Sequence, residues 1–152
     1  DFSKVLNDEQ VYDHMMTNYD QLGKDWINHQ WRWMNAVYRA FNDHYKYMII
    51  ISLVEKTLQF YDQMNIKLSY DQYYSKNFLQ IDKFSITELC EKLQLPKETV
   101  RRKVLELEKL GVLKRTKKQI LIDRRSFSFI KPENQMKYTA SYIVKISEIL
   151  RI

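Results

Sequence analysis

From Ile27 onward, the apolar residues Ile27, Trp31, Met34, Tyr38, Phe41, Tyr45 and Met48 recur at alternating spacings of four and three. That alternation keeps one apolar stripe on one side of a helix, the geometry of a helix–helix seam. Trp26, Trp33 and Val37 widen the stripe. Asn42-Asp43, the weakest helix formers within it, predict a hinge or break. Before the stripe, polar residues with scattered aromatics predict one short helix through Val11–Tyr19, ended near Gly23. After the break an Ile- and Leu-rich helix is expected from about His44 to Met64. Residues 65–84 read as a tyrosine-rich loop, with Phe78–Ile81 as a short strand.

Ser85 or Thr87 can cap a short helix whose apolar face is Ile86, Leu89, Cys90 and Leu93. Leu95-Pro96 then predicts a tight turn, with Pro96 suited to the first turn of a helix from Lys97 to Leu110. Gly111 supplies a left-handed stop. Val112-Leu113 and Ile120–Ile122 predict two strands joined by the basic turn Lys114–Lys118. A last helix is expected from about Pro132 to Leu150. Helix, short turn, helix, glycine stop and basic hairpin is the order of a winged helix-turn-helix. The predicted fold is mainly α with a small β-hairpin wing. Its expected organisation is an N-terminal helical extension over residues 1–43 and a DNA-binding domain with a C-terminal helix over 44–152.

Charge sharpens this picture because it is unevenly placed. Residues 1–80 carry 8 Lys/Arg and 10 Asp/Glu, whereas residues 81–131 carry 14 and 7. Basicity confined to one segment is the footprint of a nucleic-acid-binding module. On the helix from Lys97, residues Val100, Val104 and Leu107 share a face fit for packing. Lys97, Glu98, Thr99, Arg101, Arg102 and Lys103 gather at the N-terminal end, the end that reaches base edges and phosphates in major-groove docking. A merely solvated helix would carry more acidic i,i+4 partners among them. Lys114, Arg115, Lys117 and Lys118 on the wing, with Arg124 and Arg125 beyond it, are expected on flanking phosphates or in the minor groove.

The run from Lys97 to Arg115, with Gln119–Phe127, resembles the DNA-binding half of the cyclic-AMP-receptor-protein (Crp–Fnr) regulators. Glu98, Thr99, Val100, Arg102, Gly111 and Asp123 stand at matching places, while Lys97 replaces an arginine and Arg101 a serine. The resemblance implies that Lys97, Glu98 and Arg102 face bases and that Thr99 and Arg101 meet phosphates. Lysine at 97 lacks the planar fork of arginine. A GntR-type motif, Thr-Val-Arg-Arg, fits almost as well. The stripe lies where Crp–Fnr regulators keep a long dimerisation helix, which implies that Ile27, Trp31, Met34, Tyr38 and Phe41 pair two copies. An intramolecular core helix is the alternative for that stripe.

The remaining chemistry is sparse. Cys90 is the only cysteine, which excludes an internal disulfide or a cysteine-cluster zinc site. His14, His29 and His44 match no compact metal-ligand spacing, and Asp25 with His29 makes at most two ligands. No Ser-His-Asp set, paired-carboxylate site or phosphate loop is recognisable, so neither catalysis nor a cofactor is expected. The run around Met48–Ile51 is far too short to span a bilayer. The opening Asp1 suggests a longer natural N-terminus. The expectation is a cytoplasmic, homodimeric transcription regulator that binds double-stranded DNA and acts through promoter access or contact with RNA polymerase. A replication or partition protein, and a winged helix used only for protein interaction, are the rival readings.

Overall fold

The computed structural model describes residues 7–117, 119–125 and 132–151. Chain contacts divide it into two compact units, Asp1–Ala36 with Pro132–Ile152 and Val37–Lys131. The C-terminal helix thus falls with the first unit, whereas the sequence pattern grouped it with residues 44–152.

In the first unit, α1 (Asp8–Thr17) starts at a reciprocal cap. The Asn7 side chain accepts from Gln10 N–H, and the Gln10 side chain accepts from Asn7 N–H. Helix α2 (Tyr19–Phe41) begins earlier than expected and runs through Gly23. The Tyr19 ring lies over that glycine, where a Cβ would stand 3.0 Å from it. Helix α7 (Glu133–Leu150) packs Ile146 and Leu150 on Leu22, with Val11, Met15, Tyr142 and Ile149 around them.

The second unit is built from α3 (His44–Gln63), α4 (Tyr70–Tyr74), β1 (Phe78–Asp82), α5 (Ile86–Leu93), α6 (Lys97–Lys109), β2 (Leu113–Arg115) and β3 (Gln119–Asp123). The expected break at Asn42-Asp43 is present. Asn42 turns left-handed at φ 46°, and Asp43 caps α3 by accepting from Lys46 N–H. Helix α4 falls where the sequence pattern predicts loop. Ser69 and Gln72 start it with the same reciprocal cap, in only five residues.

The strands form an antiparallel sheet in the order β1-β3-β2. Its register sets Leu79 opposite Ile122, Ile81 opposite Ile120 and Leu113 opposite Ile122. The inward residues of these strands meet Ile49, Ile50 and Leu53 of α3, Leu89 of α5, and Val100, Val104 and Leu107 of α6 in one buried core. Side chains alternate across a strand, so the opposite positions are left to solvent. The fold is a winged helix-turn-helix: mostly helical, with the small sheet following α3.

Candidate nucleic-acid interface

The helix-turn-helix is held by local chemistry. Ser85 caps α5 by accepting from Glu88 N–H, and Gln94 ends it in the left-handed region at φ 52°. Pro96 then starts α6, and no side chain caps that end. The N–H groups of its first turn are therefore open to an anion along the helix axis. At the other end Gly111, at φ 76°, donates to Glu108 O, and Val112 N–H donates to Leu107 O. This pair of bonds is a Schellman closure, and it drops Val112 into the core beside Leu107. The chain leaves α6 directly into β2.

These constraints give α6 two faces. Val100, Val104 and Leu107 are wholly buried, whereas Lys97, Glu98, Arg101 and Arg102 are exposed and Thr99 is half-buried. No hydrogen bond or ion pair among the described residues occupies the side chains of Lys97, Glu98, Arg101 or Arg102. On the wing, Thr116 N–H donates to Gln119 O at 3.0 Å and closes the turn. Lys117 is exposed at that turn and makes no ion pair among the described residues, while Lys118 lies outside them. Lys114 is exposed 3.6 Å from Asp123. The Arg115 guanidinium is clamped by Glu108, with Nη2 to Oε2 at 3.1 Å.

Three of the sequence-derived positions need correction. Arg124 was expected on DNA but is buried. Its Nη1 donates to Tyr73 O at 2.6 Å and Lys76 O at 3.3 Å, and its guanidinium lies 4.4 Å and 5.0 Å from the Tyr73 and Tyr74 ring centres. A cation used this way fixes α4 to the end of β3 and cannot reach a phosphate. Lys103 is directed inward, 2.8 Å from Asp43 and 3.4 Å from Glu106. Phe41 packs on the core of the second unit, with its ring edge-on to Tyr47 at 6.0 Å. Arg125 remains exposed, but its guanidinium is turned onto Asp123 and the Phe78 ring.

Sequence reasoning missed the polar cluster behind α6. Lys46 pairs with Glu106 at 3.1 Å and with Asp43 at 3.8 Å, so Asp43, Lys46, Lys103 and Glu106 form a closed alternating ring. Burial pushes the Asp43 carboxyl up, but hydrogen bonds from Lys103 and Lys46 outweigh it and hold the group below its ordinary range. The hydrogen bond to Asp43 raises Lys103 in turn. The ring ties the cap of α3 to the middle of α6. At Asp123, hydrogen bonds from Arg125 hold the carboxyl low against the effect of burial.

Of the expected seam, Ile27, Trp31, Met34 and Tyr38 are all at least half exposed on α2. His29 stacks on Tyr142 at 4.6 Å and 4°. Cys90 packs beside the core of the second unit.

A family model for the DeoR-like helix-turn-helix domain matches residues 76–118, from just before β1 to the tip of the wing. No curated protein and no solved structure matches the chain. The match supports a winged helix-turn-helix of the kind that binds double-stranded DNA and serves in transcription regulation. It does not carry the Crp–Fnr or GntR resemblance. No helix among the described residues is long and apolar enough to cross a membrane.

Proposed function

We propose that the chain is a sequence-specific transcription regulator that inserts α6 into the major groove. Lys97, Glu98 and Arg102 read base edges, Thr99 and Arg101 hold phosphates, and Lys114, Lys117 and Lys118 lean on flanking DNA. Arg115 is held by Glu108 and adds no net charge at the wing while that pair is closed. A homodimer would present two such helices to a pseudo-palindromic site, with half-sites roughly 34–36 Å apart. Control then acts through promoter access or contact with RNA polymerase.

One observation carries this reading. The cations of α6 divide by direction: the inward one, Lys103, is neutralised by Asp43 and Glu106, whereas Lys97, Arg101 and Arg102 at the N-terminal end, and Lys109 at the other, face solvent, and the first three have no ion-pair partner among the described residues. A helix shaped only for solubility has no reason to segregate them so.

The test is fluorescence anisotropy of labelled duplexes over a range of salt, with a site first selected from a random pool. Binding should weaken steeply with salt, by a log–log slope of roughly 0.9 for each phosphate neutralised. Arg102→Ala should cost about 1–3 kcal/mol on the selected site and relax one base position. Lys117→Ala should weaken all duplexes alike. Absence of binding at low salt would leave only a protein-interaction role for the winged helix.

A further inference from the structure

We propose that Ile27, Trp31, Met34 and Tyr38 of α2 form a self-association seam that pairs antiparallel with the same face of a second copy. The proposal rests on the homodimeric reading above and on the stripe expected from the sequence, and adds the direction of pairing. Within the first unit, α7 takes one side of α2. Leu22 meets Ile146 and Leu150, Asp25 pairs with Lys145, Trp26 and His29 lie against Tyr142, and the Arg32 guanidinium sits over the Tyr138 ring. At 3.6 residues per turn, these positions centre roughly half a turn from Ile27, Trp31 and Met34. The intramolecular partner therefore sits behind the stripe and, among the described residues, leaves it open.

The open face is large and apolar. Trp31 is 62% and Tyr38 65% exposed, and aromatic side chains bury about 150–250 Å² each when covered. Ile27 and Met34, each at least half exposed, extend the same face, and contiguous exposed apolar surface of more than a few hundred Å² is what marks interaction sites. The first unit has only Leu22, Ile146 and Leu150 as buried apolar residues among those described, a small core for two long helices and a short one. A covered stripe would enlarge it.

A second copy suits this face because the residues flanking the seam are uncharged. Asn28, Gln30 and Asn35 occupy the positions where charges usually select or reject a partner helix, so identical copies meet no like charge there. The stripe continues N-terminally into Lys24 and Asp20. Parallel pairing would set each of these against its own copy, and antiparallel pairing separates them. Antiparallel pairing also brings Ile27 opposite Tyr38 and Trp31 opposite Met34, a large side chain against a smaller one. An open depression of about 800 Å³ runs along Tyr19, Gly23, Ile27 and Trp31, where the second copy's Tyr38 then falls.

Sedimentation equilibrium of the chain without DNA, at micromolar concentration, should give a dimer. Met34→Glu or Ile27→Glu should raise its dissociation constant about a hundredfold and leave the helical circular dichroism unchanged, since both side chains are exposed. In a Cys90→Ser background, a mixture of Ile27→Cys and Tyr38→Cys chains should form disulfide-linked heterodimers. Ile27→Cys alone should not, because the paired Ile27 positions lie about 16 Å apart along the seam. A monomeric wild type overturns the proposal and the homodimeric reading together, without touching duplex binding. A dimer indifferent to both glutamate variants overturns the seam alone, and ready self-linkage of Ile27→Cys overturns its direction.

Discussion

Arg124 and Lys103 show how far a single residue's role depends on partners that are distant in sequence. Both belong to the basic segment, and by composition each was as good a DNA contact as Arg101. Arg124 instead bonds carbonyls 51 and 48 residues away, and Lys103 pairs with a carboxylate 60 residues away. No local spacing carries that information. Arg124 and Arg101 should therefore separate cleanly on substitution. Arg124→Met leaves the Tyr73 and Lys76 carbonyls without their charged donor, at a cost of about 2–3 kcal/mol. Urea unfolding should register that loss, while the salt slope for random duplex at a temperature where the variant is folded stays the same. Arg101→Ala should do the reverse: a shallower salt slope at nearly unchanged stability. A lowered slope for Arg124→Met would return it to the DNA surface.

At the scale of elements, the helix-turn-helix was legible because its boundaries are written in adjacent residues. Ser85 caps α5, Pro96 opens α6, Gly111 closes it, and the apolar positions 100, 104 and 107 keep one face. Helix α4 was missed because five residues give no period, although the Ser69–Gln72 cap was there to be read. The start of α2 was missed because Gly23 reads as a stop, and only the Tyr19 ring lying over it explains its place inside a helix. Phe41 keeps the heptad spacing but turns inward, because the helix ends at this residue and the chain bends at Asn42. Periodicity predicts a face only as long as the helix continues. Gly111 is where element and interface are coupled, since its left-handed turn sets the exit of the wing strand from α6. Gly111→Ala should cost about 1–2 kcal/mol, the penalty for an L-residue in that region. Because the penalty falls at the junction, duplexes contacted by both α6 and the wing should lose more affinity than those touched by α6 alone. Equal losses on long and short duplexes would show that the wing is not positioned by this turn.

At the scale of the molecule, the distribution of titrating groups predicts a broad stability plateau with two different edges. Asp43, Glu106 and Asp123 are all held below their ordinary values by cationic partners. Each therefore contributes stability that is present above its unfolded value, near pH 4, and is lost as pH falls through the lower folded value. Tyr47, Tyr73, Tyr74 and Tyr142 are pushed above 10.0, first of all by burial. Folding keeps them neutral, so their contribution is complete below pH 10 and falls as pH rises toward the folded values. Lys103, raised above 10.5, acts in the same direction. Stability should thus be flat from about pH 5 to 9 and decline on both sides. Lys103→Met offers a discriminating check, because it removes the hydrogen bond that does most to lower Asp43 while leaving these tyrosines in place. Urea midpoints measured across pH should show a shallower acid limb for this variant, as the unfolded and folded values of Asp43 draw together. The part of the alkaline limb due to tyrosine should persist. An acid limb identical to wild type would mean that the ring of Asp43, Lys46, Lys103 and Glu106 does not hold α3 to α6, and that another contact sets the pose of α6.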